Sequence, residues 1–230
     1  MSLLVIENIM KTYRAGTVET PALRGLDLTI EAGEFTAIVG PSGSGKTTLM
    51  NMIGGLDVPD SGSIALNGET LTSCSQSALS DIRLWHIGFV FQAYNLIPVL
   101  TALENVEYVM LLQGLPEKER RERSMSALRD LGIEELAHKR PGEMSGGQQQ
   151  RVAVARAVVS EPKLVLADEP TANLDSETSG RLLDMMRSLN ETNNITFIFS
   201  THDHHVVERA RRILVIEDGV IADDRRQNIS

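Results

Sequence analysis

The run Gly40-Pro41-Ser42-Gly43-Ser44-Gly45-Lys46-Thr47 constrains this chain more than any other feature of its sequence. Before it lies Phe35-Thr36-Ala37-Ile38-Val39, short and apolar, the pattern of a strand buried on both faces. After it, residues 46–53 read as a helix. The glycines let the backbone curl so that successive N–H groups converge on an anion, and the helix start adds the positive end of its dipole. A strand, a glycine-rich loop and a helix in that order belong to an α/β architecture, in which ligands bind beyond the carboxyl ends of the strands. In such a loop Gly40, Pro41, Ser42, Gly43, Ser44 and Gly45 are expected to wrap phosphate. Lys46 is expected to bridge the β- and γ-phosphates, Thr47 to ligate magnesium, and Thr48 to add a hydroxyl.

A second feature complements the first. Leu164-Val165-Leu166-Ala167 is an apolar strand pattern that delivers Asp168 and Glu169 to the same edge of the sheet. Alone, a strand ending in two acids is commonplace. With a phosphate loop upstream, Asp168 is expected to hold magnesium through water and Glu169 to polarise an attacking water as general base.

The remaining pattern fills in an α/β chain. Residues 3–7, 26–30, 63–66, 87–91, 195–200, 213–216 and 220–221 read as strands, and 102–113, 117–131, 146–160 and 176–190 as helices. Alternation of strands and helices implies a mainly parallel sheet. Residues 94–158 read as an all-helical insert, and residues 223–230 as a polar, frayed end. The alternating charges of 117–123 read as a solvated helix face.

Composition narrows the function. A formal net charge of −9 argues against a general nucleic-acid binder, which needs a basic stripe. The one cysteine, Cys74, can form neither an internal disulfide nor a cysteine metal cluster, so a reducing compartment is expected. The first eleven residues are not expected to be a secretory leader, since acidic Glu7 interrupts the apolar run. Residues 84–103 lack acidic and basic side chains, yet His86, Gln92, Asn95 and Pro98 make a membrane span unfavourable there.

Met144-Ser145-Gly146-Gly147-Gln148 narrows the class further. It resembles the Leu-Ser-Gly-Gly-Gln signature of the ABC ATPases, with Met as a volume-conserving replacement for Leu. The resemblance covers about residues 3–220 and is similar in detail to the lipoprotein-release, macrolide-export and cell-division branch. Residues 50–57, 87–98 and 100–106 carry that likeness, and Ala172, where close relatives often have Gly, departs from it.

The resemblance implies a single nucleotide-binding domain over 1–230. Its fold would be a P-loop NTPase core (about 1–93 and 159–230) with a mainly parallel sheet, an N-terminal antiparallel β portion and the inserted helical subdomain at 94–158. It implies ATP and magnesium as ligands, and ATP hydrolysis. Ser145, Gly146, Gly147 and Gln148 would cap the γ-phosphate held by a second copy. Gln92 would touch magnesium and water and sense the membrane partner, 171–175 would cross the dimer interface, His202 would contact γ-phosphate, and Tyr13 would stack on adenine. A homodimer formed on ATP binding and a separate transmembrane permease-like subunit are implied as partners. The chain would then sit peripherally at the cytoplasmic face of the membrane, with no insertion and no nucleic acid. It would drive export, lipoprotein release or extraction, or alternatively transmit a conformational signal to an extracytoplasmic enzyme. With no further domain after Val220, a separate subunit is expected. The stretch 94–98 is expected to help receive a coupling helix of the partner.

Overall fold

A computed structural model describes residues 2–227. Its strands are β1 (Ser2–Ala15), β2 (Val18–Glu31), β3 (Phe35–Val39), β4 (Ser61–Leu66), β5 (Glu69–Thr70), β6 (Ile87–Val90), β7 (Leu164–Asp168), β8 (Thr196–Ser200), β9 (Arg212–Glu217) and β10 (Val220–Arg226). The helices are α1 (Lys46–Ile53), α2 (Gln76–His86), α3 (Ala102–Leu112), α4 (Glu117–Asp130), α5 (Gly146–Val158), α6 (Ser176–Asn193) and α7 (His204–Arg209). One sheet, ordered β2-β1-β4-β5, is antiparallel throughout. The other is ordered β10-β9-β3-β8-β7-β6, parallel from β9 to β6 with β10 antiparallel at its edge.

The parallel sheet divides the core by the two-residue period of its strands. Leu164 and Leu166 of β7, Ile198 of β8 and Leu214 and Ile216 of β9 face α1, α2 and the antiparallel sheet. Val165, Ala167, Phe197, Phe199 and Ile213, one residue out of phase, face α3 to α7. Both faces are covered, which is why these strands read as continuous apolar runs.

Several sequence expectations need correction. β1 and β2 extend well beyond 3–7 and 26–30, pairing as far as Ala15 with Val18. Helix α2 was not anticipated; Ser75 caps it and Leu79 and Ile82 bury its inner face. Helix α7 was missed as well, a short element capped by Asp203. The expected fraying from 223 is overturned, because Asp223–Arg226 pair with β9 in β10. Residues 228–230 of that expected tail lie outside the described residues. Residues 84–103 fall into the end of α2, β6, a turn and the start of α3, and no helix among the described residues is long and apolar enough to cross a membrane.

Candidate functional site

The carboxyl edge of the parallel sheet gathers most of the predicted residues. β3 ends in the phosphate loop, β7 in Asp168 and Glu169, and β8, between them, in Ser200, Thr201 and His202. Gln92 follows β6, two residues beyond Val90, which pairs with Ala167.

The loop has no room for other residues at its two ends. Gly40 has φ +154, and a Cβ there would lie 2.1 Å from the Ile216 carbonyl oxygen. Gly45 has φ +108, and its Cβ would lie 2.5 Å from the Ala22 carbonyl oxygen. Only glycine combines that backbone with that proximity. Lys46 Nζ donates to the carbonyls of Gly40 at 2.8 Å and Pro41 at 2.9 Å, so two of its three donors brace the loop and one is left over. The Ser44 hydroxyl is buried with no partner among the described residues. Pro41, Ser42, Gly43 and Thr47 are exposed, while Thr48 is half-buried at the start of α1.

Asp168 is half-buried, and burial pushes its carboxyl above the usual range. The Glu169 charge adds to the effect, and the Ser200 hydroxyl and Lys46 oppose it. A carboxylate so placed favours a cation. Together with the Thr47 hydroxyl and the Gln92 amide it offers hard oxygen donors, a set that suits magnesium, which retains water and binds substrate phosphates. Among the described residues no group of three or more His, Cys, Asp or Glu is placed to hold a metal ion.

Glu169 has φ +47, unusual for a residue with a Cβ. Its N–H donates to the Ser200 carbonyl at 2.8 Å. One carboxylate oxygen lies 2.7 Å from His202 Nδ1, and the other accepts from the Thr201 hydroxyl at 3.4 Å. With the carboxylate ionised, Nδ1 carries the hydrogen and the Nε2 side of this largely exposed ring is free. Tyr13 is exposed near the end of β1. Its hydroxyl donates to Asp57 at 2.8 Å, and Lys11 Nζ lies over the ring at 5.2 Å from its centroid.

The signature residues lie elsewhere. Ser145 caps α5, accepting from the Gln148 N–H at 3.3 Å, while the Gln148 side chain accepts from the Ser145 N–H at 2.8 Å. Gly147 abuts Thr178, whose methyl a Cβ would approach to 2.7 Å, and Gly146 abuts the Tyr94 hydroxyl. These four residues line an open cleft of about 410 Å³ with Asn173, Leu174, Asp175 and Arg151, and no phosphate-loop residue lines it. Asn173 also donates to the Gln92 carbonyl at 3.0 Å, joining 171–175 to the turn after β6.

Two residues that sequence reasoning passed over hold this region together. Arg156 of α5 donates to the carbonyls of Tyr94 and Asn95, and buried Gln150 of α5 donates to the Pro170 carbonyl at 2.7 Å. Polar residues at buried helix positions were the available signal. Within the stretch 94–98, Asn95 and Pro98 are exposed and Tyr94, Leu96 and Ile97 half-buried; Leu96 packs against the buried cluster, and Asn105 holds the Ile97 backbone. Asn95 of this stretch also lines an open, largely apolar groove of about 630 Å³, with Leu56, Leu84, Phe89, Val109 and Leu112 among others.

A phosphate loop followed at the next strands by a paired Asp-Glu and a histidine defines a nucleoside-triphosphate hydrolase, and a serine-capped glycine helix start sets it within a narrower class. The family model for the ABC transporter matches residues 23–172, and the chain belongs to that family. It is 46% identical over 228 residues to the uncharacterized ABC transporter ATP-binding protein YvrO of Bacillus subtilis, covering 99% of each chain. It is also 46% identical to the macrolide export ATP-binding/permease protein MacB of Hyphomonas neptunium, where it covers 96% of this chain but 34% of that longer protein. Dimeric structures of the ATP-binding cassette MJ0796, one a post-hydrolysis state bound to ADP and Pi, superpose with TM-score 0.91 at 39% identity, covering 98% of this chain and all of theirs. The chain is an ATPase that uses ATP and magnesium.

Proposed function

We propose that two copies close head to tail around two ATP molecules and that this closure drives a separate membrane subunit in export, lipoprotein release or extraction. One observation carries the reading: the chain has two glycine-rich helix starts of the kind that suits an anion, at Lys46 and at Ser145, in separate places with no shared lining. A second copy supplies the simplest way to bring them to one phosphate. The dimeric state of MJ0796 and the export function in the name of MacB support it.

In this reading Lys46 and Thr47 hold the phosphates of one ATP, and Tyr13 receives adenine on the ring face opposite Lys11. Ser145 to Gln148 of the second copy cap the γ-phosphate. Magnesium held near Thr47, Asp168 and Gln92 would neutralise charge on the phosphate oxygens. Glu169 accepts the proton of the attacking water, and His202, anchored through Nδ1, offers its other ring edge to the γ-phosphate. Loss of the γ-phosphate removes the bridge between copies, and the dimer reopens. Residues 94–158 act as a unit that tilts against the core formed by 1–93 and 159–230. The groove around Phe89 and Leu112 receives a segment of the membrane subunit, which places the chain peripherally at the cytoplasmic face.

The test is Glu169→Gln. It should bind ATP, run as a dimer of twice the 25.2 kDa chain in light scattering with ATP and magnesium, and lose about a hundredfold in turnover. A monomer under those conditions rejects the closure, and turnover like the parent's rejects Glu169 as the base.

A further inference from the structure

We propose that Gln150 is a positioning residue for Glu169, acting through the Pro170 carbonyl; the inference rests on Glu169 being the general base. Gln150 is fully buried on α5. Its Nε2 donates to the Pro170 oxygen at 2.7 Å, and its Oε1 has no partner among the described residues. Leaving an amide oxygen unpaired in the core costs stability, so packing alone favours Leu or Met at this position. The donated bond must supply something that packing does not.

What it supplies is a further anchor of a strained turn, from the α5 side. A left-handed φ at Glu169 persists only where the surroundings over-determine it. The Glu169 N–H is fixed to Ser200 at 2.8 Å, and its carbonyl accepts from the Ala172 N–H at 3.2 Å. From the β8 side Thr171 donates to Asp203. From the α5 side, among the described residues, the hydrogen bond that reaches this turn is that of Gln150. Pro170 contributes no N–H of its own, so its carbonyl is the handle by which the following peptide plane can be held. Without that hold the turn can rotate, and the carboxylate leaves its 2.7 Å contact with His202.

The connection reaches beyond one chain. Ser145 at the start of α5 is exposed toward the cleft proposed to meet the second copy's nucleotide, and Gln150 lies little more than a turn further along the same helix. One rigid helix therefore carries both the cap for the partner's phosphate and the brace for its own chain's base.

The test is a double-mutant cycle on the full chain with Gln150→Met, Glu169→Gln and both together, reading kcat, ATP affinity and the thermal midpoint. Met has nearly the length of Gln and no donor, and Gln150→Leu serves if the Met variant fails to give a cooperative thermal transition. Gln150→Met should lower kcat at least about tenfold while ATP affinity stays within about threefold. In the double variant the Gln150 change should add no further loss, because its effect passes through a base already removed. If Gln150→Met turns over within about twofold of the parent while Glu169→Gln is inactive, the positioning role is wrong and the base assignment stands. If the two losses multiply, Gln150 acts by another route and the inference also fails. If Glu169→Gln is fully active, the base assignment falls first, and this inference with it.

Discussion

Tyr13 shows how a single side chain is held by neighbours distant in sequence. Asp57, from the segment after α1, accepts from its hydroxyl, and Lys11 Nζ binds the same carboxylate at 2.9 Å while lying over the ring. Burial pushes the Asp57 carboxyl up, but Lys11, Tyr13 and the Val58 N–H together hold it below the usual range. The ring is thus held at its hydroxyl edge by Asp57 and covered on one face by Lys11, and the proposed adenine site would use its other face. Stacking contributes about 1–3 kcal/mol, so Tyr13→Ala should weaken ATP binding about tenfold, whereas Tyr13→Trp should keep most of it. A fluorescent-nucleotide titration measures this, and equal affinity in Tyr13→Ala would remove Tyr13 from the adenine site. The adjacency of Glu169 to Asp168 was legible in the sequence because a strand must end where its apolar run ends. The Glu169 to His202 contact was not, since 33 residues separate the pair and only the neighbouring positions of β7 and β8 bring them together.

At the scale of elements, α5 is the hub. Its start presents the signature, its middle holds Pro170, and Arg156 near its end holds the turn after β6. It can do so because it lies unusually close to β6. A Cβ on Gly88 would come 2.2 Å from the Ala157 carbonyl oxygen, a backbone atom that cannot swing aside. Gly88→Ala should therefore destabilise the fold by about 1–3 kcal/mol, seen as a lower midpoint in urea with an unchanged slope. A variant as stable as the parent would show that β6 and α5 can separate freely. Helix α3 begins with a full capping box, Thr101 with Glu104. Thr101→Ala should cost about 1 kcal/mol in the same measurement, and no change would mean that tertiary contacts alone hold that helix end. Elements with strong apolar runs were legible, β3, β7 and α5 among them. Those held by backbone pairing or by capping were not: the tip of the β1–β2 hairpin is exposed throughout and polar in part, and α7 is a short helix with one fully buried apolar residue.

At the scale of the whole molecule, Arg212 ties the two sheets. This buried guanidinium pairs with Glu34 at 3.0 Å and Asp224 at 2.7 Å, and donates to the Thr29 carbonyl of β2 at 2.7 Å. Arg212→Met would leave the Glu34 carboxylate buried with exposed Arg226 as its remaining ion-pair partner among the described residues, at a cost of about 3 kcal/mol. The Arg212 guanidinium also holds Asp224 below the usual carboxylate range. A folded pKa below the unfolded one means that the stability this group contributes is present above the unfolded value and lost as pH falls through the folded one. Thermal midpoints of the parent should thus fall below about pH 4, and Arg212→Met should fall less steeply over that window. Parallel curves would show that the pair is not linked to folding. The same network explains why polar residues 223–226 form a strand where the sequence promised a frayed end.

The sequence by itself determined the local pieces: a loop that only glycines can form, apolar strands that must be buried on both faces, a signature that caps a helix, and the family to which they point. Each of these follows from residues adjacent in the chain, whose geometry is set by backbone sterics and short-range hydrogen bonds. The tertiary structure alone decided which pieces meet. It set Glu169 against His202 and Gln150 under Pro170, and it kept the signature in a cleft apart from the phosphate loop. Those relations depend on strand order and on how closely α5 packs against β6, which are products of the whole core and are written in no single segment of the chain.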